Sequence, residues 1–226
     1  ADALGRTTAV HFVDGSVLLD INGFNVSGKR IVISAGQTGF LGNTSATKSV
    51  WSGSVEMTGN LRAGGTGTEV EISGVVSGAP DTTLQSLDGG TLRLSGVNAH
   101  EGSNSVRTGS TLIVGNASAL GATSAVTFID SATLDLNGFD IGSRIITLQD
   151  NASRLVNDNT NAAAVVSGPV NMLTNRSNAL IGGAGNLTLS GAMATQDGTG
   201  GGFTKVGAGT LTLAGSSAYS GTTTVN

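Results

Sequence analysis

Short segments in which apolar and small polar residues alternate between glycines recur throughout this chain. One of them reads G-T-L-T-L over residues 209–213 and is followed by Gly215. Such alternation is typical of a β-strand with one buried face, and the flanking glycines indicate chain reversals. No stretch has the i, i+3, i+4 apolar spacing of an amphipathic helix. The sequence therefore predicts an essentially all-β protein. Similar segments are found at 53–57, 90–94, 168–172 and 185–189.

A long internal duplication restricts the fold further, because whole groups of these segments occur twice in the same order. The matched stretches are 3–14 with 119–130, 20–24 with 135–139, 50–57 with 165–172, and 91–96 with 210–215. Small length differences between the matches place the insertions in turns. We therefore predict one β-helical segment over residues 1–226, with internal long repeats at 3–118 and 119–226, the second of them incomplete.

Many short strands punctuated by glycine can build a sandwich, a barrel or a solenoid. A sandwich or barrel closes on itself, whereas a solenoid buries its apolar face by stacking repeats and can extend. The duplication therefore favours a parallel β-helix without a second globular domain. Asn-Gly pairs at 22–23 and 137–138 are compatible with solenoid corners and with hairpins.

The size of a typical solenoid repeat sets the expected length of the rod. With roughly 20 to 25 residues per coil, the chain would form about ten coils. Stacking at about 4.8 Å per strand then gives a rod about 50 Å long. The residues expected to point inward are Val10, Phe12, Leu134, Leu136, Leu187, Leu189, Leu211 and Leu213.

The amino-acid composition excludes several kinds of partner and of binding site. The chain has 36 glycines but only 12% charged and 4% aromatic residues, so small and aliphatic side chains must form the core. Its 11 Lys and Arg are spread singly in a chain of net charge −4, and we therefore expect no nucleic-acid partner. The lack of cysteine excludes disulfides and thiolate metal sites. No apolar run approaches the ~20 residues of a membrane span, so we expect no membrane insertion by this segment.

Aspartates are the first candidates for catalysis, because β-helical enzymes that act on polysaccharides bring acidic residues together on neighbouring coils. Asp14 corresponds to Asp130 in the duplication, and Asp20 corresponds to Asp135; Asp140 is a fifth candidate. Acids beside turns usually accept hydrogen bonds from nearby backbone N–H groups. We therefore predict structural roles for them, no catalytic residue and no enzyme activity.

Other candidate sites also have simpler interpretations. His11 and His100 lack a zinc-binding spacing, and we expect them to be solvated side chains on outward strand positions. The oxygen-rich stretches 150–151 and 157–159 could hold calcium. They lack the nonapeptide of calcium-binding β-rolls, so we interpret them as solvated loops. We therefore expect no metal and no cofactor.

Glycine-rich and aromatic residues also have structural interpretations. Stretches 182–185 and 198–202 precede neither a helix nor a Gly-Lys-Ser/Thr sequence, so we interpret them as turns and not as phosphate loops. Trp51 and Tyr219 could stack on sugars. Trp51 corresponds to Val166 in the duplication, which favours a core or groove position for it.

Several stretches resemble a known family. Residues 207–215, G-A-G-T-L-T-L-A-G, and 218–226, A-Y-S-G-T-T-T-V-N, closely resemble the autotransporter-associated β-strand repeat, also called the passenger-associated transport repeat. Residues 112–116 with 119–121, and 133–139, resemble the continuation of that pattern. The resemblance implies a right-handed parallel β-helix in a long bacterial surface or secreted protein, typically an autotransporter passenger. It also implies a repeat that assists folding during secretion and catalyses nothing.

These observations together predict a structural, adhesin-like segment that acts as a stalk, fibre or scaffold outside the cell or on the bacterial outer surface. Each coil would template the next, and the neighbouring repeats of a longer chain would be its partners. One alternative is a self-assembling filament or surface-layer subunit that associates end to end or laterally. Another is a β-helix that binds or cleaves polysaccharides, with surface glycans as its ligands.

Overall fold

A computed structural model describes residues 4–15, 17–123, 125–149, 152–173, 178–196 and 200–226. These residues form short strands and no helix. In chain order the strands are β1 (Ala9–Phe12), β2 (Leu18–Asp20), β3 (Asn25–Val26), β4 (Arg30–Ile33), β5 (Thr38–Asn43), β6 (Ser49–Trp51), β7 (Val55–Met57), β8 (Asn60–Gly65), β9 (Glu69–Ile72), β10 (Val76–Gly78), β11 (Thr83–Ser86), β12 (Thr91–Leu94), β13 (Ser103–Val106), β14 (Thr111–Val114), β15 (Ala125–Phe128), β16 (Thr133–Asp135), β17 (Ile145–Leu148), β18 (Arg154–Val156), β19 (Ala164–Val166), β20 (Val170–Met172), β21 (Ala179–Gly182), β22 (Leu187–Leu189), β23 (Met193–Thr195), β24 (Phe203–Val206), β25 (Leu211–Leu213) and β26 (Thr223–Val225).

The strands stack in parallel and form three rows along a rod. The first row contains β1, β4, β7 and β10, and it resumes later as β19, β22 and β25. The second row runs β2, β5, β8, β11, β13, β15, β17, β20, β23. The third row begins with β3, β6 and β9 and continues as β12, β14, β16, β18, β21, β24 and β26. The hydrogen bond from Ser95 N to Ile72 O joins its two parts.

This arrangement confirms the predicted solenoid. It has about nine turns, close to the expected number of about ten. Every described strand pairing is parallel except a single bridge between Thr91 and Gly65. Successive coils therefore follow the same direction around the axis, as stacking of a repeated unit requires.

The core is built by side chains of similar size that lie above one another on successive coils. In the third row Leu92, Leu112, Leu134 and Leu155 are in register, and each is buried. The alternating pattern of each strand turns the residues between them outward, where polar side chains meet solvent. A continuous apolar column therefore runs through the middle of the rod.

Most residues predicted to point inward are buried. Phe12, Leu134, Leu136, Leu187 and Leu189 are at most 5% exposed. Val10 and Leu211 are half-buried, and Leu213 is 40% exposed. Leu213 is in register with the buried Leu189 and so lies on the inward face as predicted, but it stays partly exposed because no described coil lies over β25.

The Asn-Gly pairs are corners of the solenoid and not hairpins. Asn22 and Asn137 have φ angles of 40° and 49°, and Gly23 and Gly138 have φ angles of 80° and 84°. This left-handed region is one that asparagine and glycine enter at low cost. The two corners have nearly the same conformation, as expected for corresponding positions.

The division into long repeats stays a hypothesis, yet the structure shows how such repeats would be arranged. Under that hypothesis β1 corresponds to β15, and β12 corresponds to β25. β1 lies in the first row while β15 lies in the second, and β12 lies in the third row while β25 lies in the first. The second repeat would therefore begin one strand position further around the rod than the first.

Candidate functional site

The candidate acids on the first coils have separate structural roles. The Asp20 carboxylate accepts backbone hydrogen bonds from Asn22 at 2.9 Å and from Thr44 at 3.2 Å. The Thr44 hydroxyl donates to it as well, at 2.5 Å, and this bond lowers the pKa of Asp20. Asp20 thus shapes its own turn and ties it to the next coil. Asp14 and Asp130 are exposed.

Asp135 repeats this arrangement at the corresponding corner. Its Oδ1 atom accepts backbone hydrogen bonds from Asn137 at 2.8 Å and from Asp158 at 3.1 Å. Burial raises the pKa of Asp135, because desolvation disfavours the charged carboxylate. Asp140 likewise accepts a bond from the backbone N–H of Gly142 at 2.7 Å. These acids are bound to backbone donors, as the sequence predicted for acids beside turns.

The oxygen-rich stretch 157–159 contains a buried side chain, contrary to the interpretation as a solvated loop. Asn157 is 0% exposed. Its Nδ2 donates to Ala162 O at 2.8 Å within the same corner and to Asn186 O at 2.7 Å on the next coil. Its Oδ1 accepts a bond from the backbone N–H of Asn159 at 3.2 Å. The amide therefore closes a turn and holds two coils together.

A second buried asparagine does the same at an equivalent corner. Asn43 is 1% exposed, and its Nδ2 donates to Thr47 O at 2.8 Å and to Glu69 O at 3.2 Å. Its Oδ1 accepts bonds from the backbone N–H groups of Gly23 and Ser45. An amide suits such a position because it offers two N–H donors and an acceptor oxygen on one short side chain. The sequence signal is a polar residue at the end of a strand or directly after it.

No group of three or more His, Cys, Asp or Glu side chains within the described ranges could hold a metal ion. Residues 150–151, the other stretch weighed for calcium, lie outside the described residues. The predictions of no catalytic residue and no metal site therefore stay predictions.

The two histidines lie in opposite environments. His11 is exposed, as predicted, whereas His100 is 0% exposed, and its predicted solvation is wrong. Its Nε2 lies 3.1 Å from Asn104 Oδ1, and Asn104 Nδ2 donates to Leu120 O at 2.9 Å. His100 is therefore part of a polar cluster inside the rod. The polar residues around it in the sequence do not indicate its burial.

The aromatic and glycine-rich candidates have packing roles. Trp51 is 0% exposed, which confirms the core interpretation. Tyr219 is half-buried and meets Phe203 edge to face, with ring centroids 5.7 Å apart. A Cβ atom on Gly185 would lie 2.0 Å from the carbonyl oxygen of Asn159, so stretch 182–185 packs tightly against the neighbouring corner. Residues 198–199 of the other glycine-rich stretch lie outside the described residues.

Charged side chains on the outside of the third row form a mixed network. Lys48 lies 2.9 Å from Glu69 and 2.5 Å from Glu71, and Arg93 lies 3.0 Å from the same Glu69 oxygen. The ion pairs thus link three consecutive coils. Because the signs alternate, the network forms no basic or acidic surface that would attract a charged polymer.

The comparisons with known proteins agree with this architecture. A model of the family described as Passenger-associated-transport-repeat matches residues 87–114 and 203–226. The chain therefore carries passenger-associated transport repeats. The first matched stretch contains β12, β13 and β14, and the second contains β24, β25 and β26. The predicted family resemblance is confirmed.

A curated relative is similar over most of the chain. The Adhesin BmaC autotransporter of Brucella suis biovar 1 (strain 1330) is 33% identical over 204 residues, which are 89% of this chain and 6% of that protein. This chain thus spans a small part of the relative's length. No solved structure matches this chain significantly. The described residues form no helix that is long and apolar enough to cross a membrane.

The two passenger-associated transport repeats share one local contact. In the first, the His100 ring bonds to Asn104, and in the second the Tyr219 hydroxyl lies 2.8 Å from Thr223 Oγ1. Each ring thus contacts a residue four positions later, at the start of the following strand. The ring thus fixes the chain at the start of that strand. An imidazole and an amide make the contact in the first repeat, and two hydroxyl groups make it in the second.

Proposed function

We propose that this chain is a structural segment of a bacterial cell-surface or secreted autotransporter passenger, in which it acts as a stalk or scaffold. The observation that supports this most is the parallel stack of about nine turns around one apolar column. Asp20, Asp135 and Asn157 bond to the backbone instead of forming a catalytic site, and Trp51 is packed in the core.

Folding would proceed coil by coil, because each coil presents a row of backbone groups to the next. At one corner of the stack the N–H of Thr111 donates to Gly90 O, that of Thr133 to Ser110 O, and that of Arg154 to Ala132 O, at 2.8 to 2.9 Å. Each added coil satisfies the open edge of the one before it and creates a new edge. A chain that emerges gradually from a membrane could fold in this way.

The stalk proposal predicts a defined reach. About nine turns at about 4.8 Å each give a rod about 45 Å long. The segment would be inserted between an epitope tag and the membrane anchor of a displayed autotransporter, and the distance from tag to membrane would be measured by fluorescence energy transfer. A Leu134→Asp variant has the same length but a disrupted core, and it provides the matched control.

We expect the intact segment to hold the tag at a fixed, longer distance and the variant to give a broad, shorter distribution. Equal distributions for both would contradict a stalk. Electron microscopy of the purified segment tests the alternatives. Ordered filaments or sheets would indicate self-assembly, and release of reducing ends from a polysaccharide panel would indicate an enzyme.

A further inference from the structure

The first row of the rod has no regular strand between β10 and β19. Its place is taken by segments 98–101, 119–122 and 139–144, which retain only a few backbone bonds to neighbouring coils. Ala99 N donates to Val76 O at 2.8 Å, and Ala122 N donates to His100 O at 2.8 Å. This side of the rod is therefore its least regular part among the described residues.

Buried and half-buried polar side chains bridge the coils where the strand is missing. Asn98 Oδ1 accepts a bond from Val76 N–H at 2.8 Å, and its Nδ2 donates to Ala119 O at 2.6 Å. One coil further, the guanidinium of Arg144 donates to the carbonyl oxygens of Gly121 and Ile141. The stack here depends on side-chain bonds in place of a backbone ladder.

His100 lies in the middle of this cluster, and its tautomer follows from its partners. Asn104 uses its Nδ2 to bond Leu120 O, so its Oδ1 faces the imidazole and must accept a hydrogen. The Nε2 atom of His100 therefore carries the proton, and Nδ1 is bare. Nδ1 is buried and has no hydrogen-bond partner among the described residues.

The surroundings of Nδ1 do not accommodate a second proton. A Cβ atom built on Gly121 would lie only 2.6 Å from Nδ1, so backbone of the next coil covers this edge of the ring closely. A proton added to Nδ1 would create a buried N–H without a partner, which is costly.

Charges around the ring act in the same direction. Arg144, which lies two coils beyond His100, is the charged group that acts on the ring, and Asp140 interacts with Arg144 itself. The neighbouring strands β10, β11, β13 and β15 and segment 119–122 carry no titratable side chain. Glu101, the adjacent residue, is exposed. Burial, and to a lesser extent Arg144, lower the pKa of His100.

We propose that the stretch from residue 98 to residue 122 is an acid-sensitive joint: protonation of His100 breaks the side-chain bridges there and loosens the coils between β10 and β19, while the flanking coils stay folded. The rod would be stiff at neutral pH and would bend or open locally in mildly acidic surroundings. This inference concerns the rod itself and holds whether or not the segment serves as a stalk.

The pH window follows from linkage. A histidine whose folded-state pKa lies below its ordinary value of about 6.5 binds a proton more readily once the joint is open. The free energy of opening is therefore unaffected well above pH 6.5 and decreases as the pH falls from there towards the folded-state pKa. Between pH 7.5 and pH 5.5 the population of the open joint should increase by up to about tenfold, the limit for a ring that stays unprotonated while the joint is closed.

Hydrogen exchange of the 226-residue chain, corrected for the intrinsic pH dependence of exchange, tests this directly. We expect the amides of Ala99, Glu101 and Ala122 to lose protection by up to about tenfold between pH 7.5 and pH 5.5. Protection in the β20–β23 coils should not change. A His100→Gln variant keeps a donor for Asn104 but cannot be protonated, so its protection should not depend on pH. His11→Gln, at the exposed histidine, is the matched control and should behave like the parent.

Protection that falls equally in the His100→Gln variant would overturn the proposal, and so would a uniform loss along the whole rod. If that variant does not fold, long-range proton–nitrogen NMR spectra of the parent test the proposal, because they report the tautomer and the titration of His100. The proposal requires an Nε2–H tautomer that titrates well below pH 6.5. Titration of His100 near the ordinary value of histidine would refute it.

Discussion

The buried corner asparagine gives the sharpest test of how the coils are held together. Asn157 makes three hydrogen bonds from a fully buried position, one of them to a neighbouring coil. We predict that Asn157→Ala destabilises the segment through the loss of these bonds. If backbone hydrogen bonds alone held the coils together, the substitution would leave the stability almost unchanged.

The magnitude follows from the groups left behind. Each lost bond is worth about 1 kcal/mol net, and a buried group without a partner costs about 1–3 kcal/mol. Asn186 O keeps a second bond from Ala164 N at 3.0 Å, so it is not left without a partner. Ala162 O and the N–H of Asn159 lose the bonds from Asn157, at the partly exposed edge of the corner. We therefore expect a loss of about 2–3 kcal/mol.

The measurement is urea unfolding followed by two probes, because a solenoid does not always unfold as one unit. Fluorescence of Trp51, the single tryptophan, reports on the early coils, and far-UV circular dichroism reports on all strands. Asn161→Ala changes an exposed residue of the same corner and should shift stability by less than about 0.5 kcal/mol. Equal stabilities of the two variants would refute the argument that the buried amide fastens the coils.

Three further predictions concern the core, one carboxyl group and one glycine. Leu134→Ala in the buried column should cost about 2–5 kcal/mol in urea unfolding, whereas Leu213→Ala at a 40% exposed position should cost much less; similar losses would contradict the assignment of the core. Because burial raises the pKa of Asp135, the ionised carboxylate destabilises the folded state at pH values above the ordinary pKa of aspartate. Asp135→Asn should therefore stabilise the segment more at pH 7 than at pH 3. A stability difference that does not depend on pH would contradict this. Gly121 has a φ angle of 66° and lies against His100, so Gly121→Ala should lower the melting temperature through strain of about 1–3 kcal/mol, and an unchanged melting temperature would show that the corner adapts.

The architecture could be predicted to a large extent because it depends on local patterns. Alternation between glycines predicts strands, and repetition of the pattern predicts stacking. The resemblance of residues 207–226 to a transport repeat led to the same fold, and the structure and the comparisons confirm it. The structural roles of Asp20 and Asp135 could also be predicted, because an acid beside a turn bonds to the backbone of that turn.

Other features depend on which residues of different coils come to lie together. His100 and Asn157 look like solvent-exposed polar residues in the sequence, yet Gly121 and Asn186, each from the following coil, cover or bond them. Leu213 has the same local pattern as Leu134 but lacks a coil above it. The sequence by itself determined the strands and their stacking, since these follow from short-range alternation. The tertiary structure decided which polar groups are buried, because burial depends on the register between coils, and residues far apart in the chain set that register.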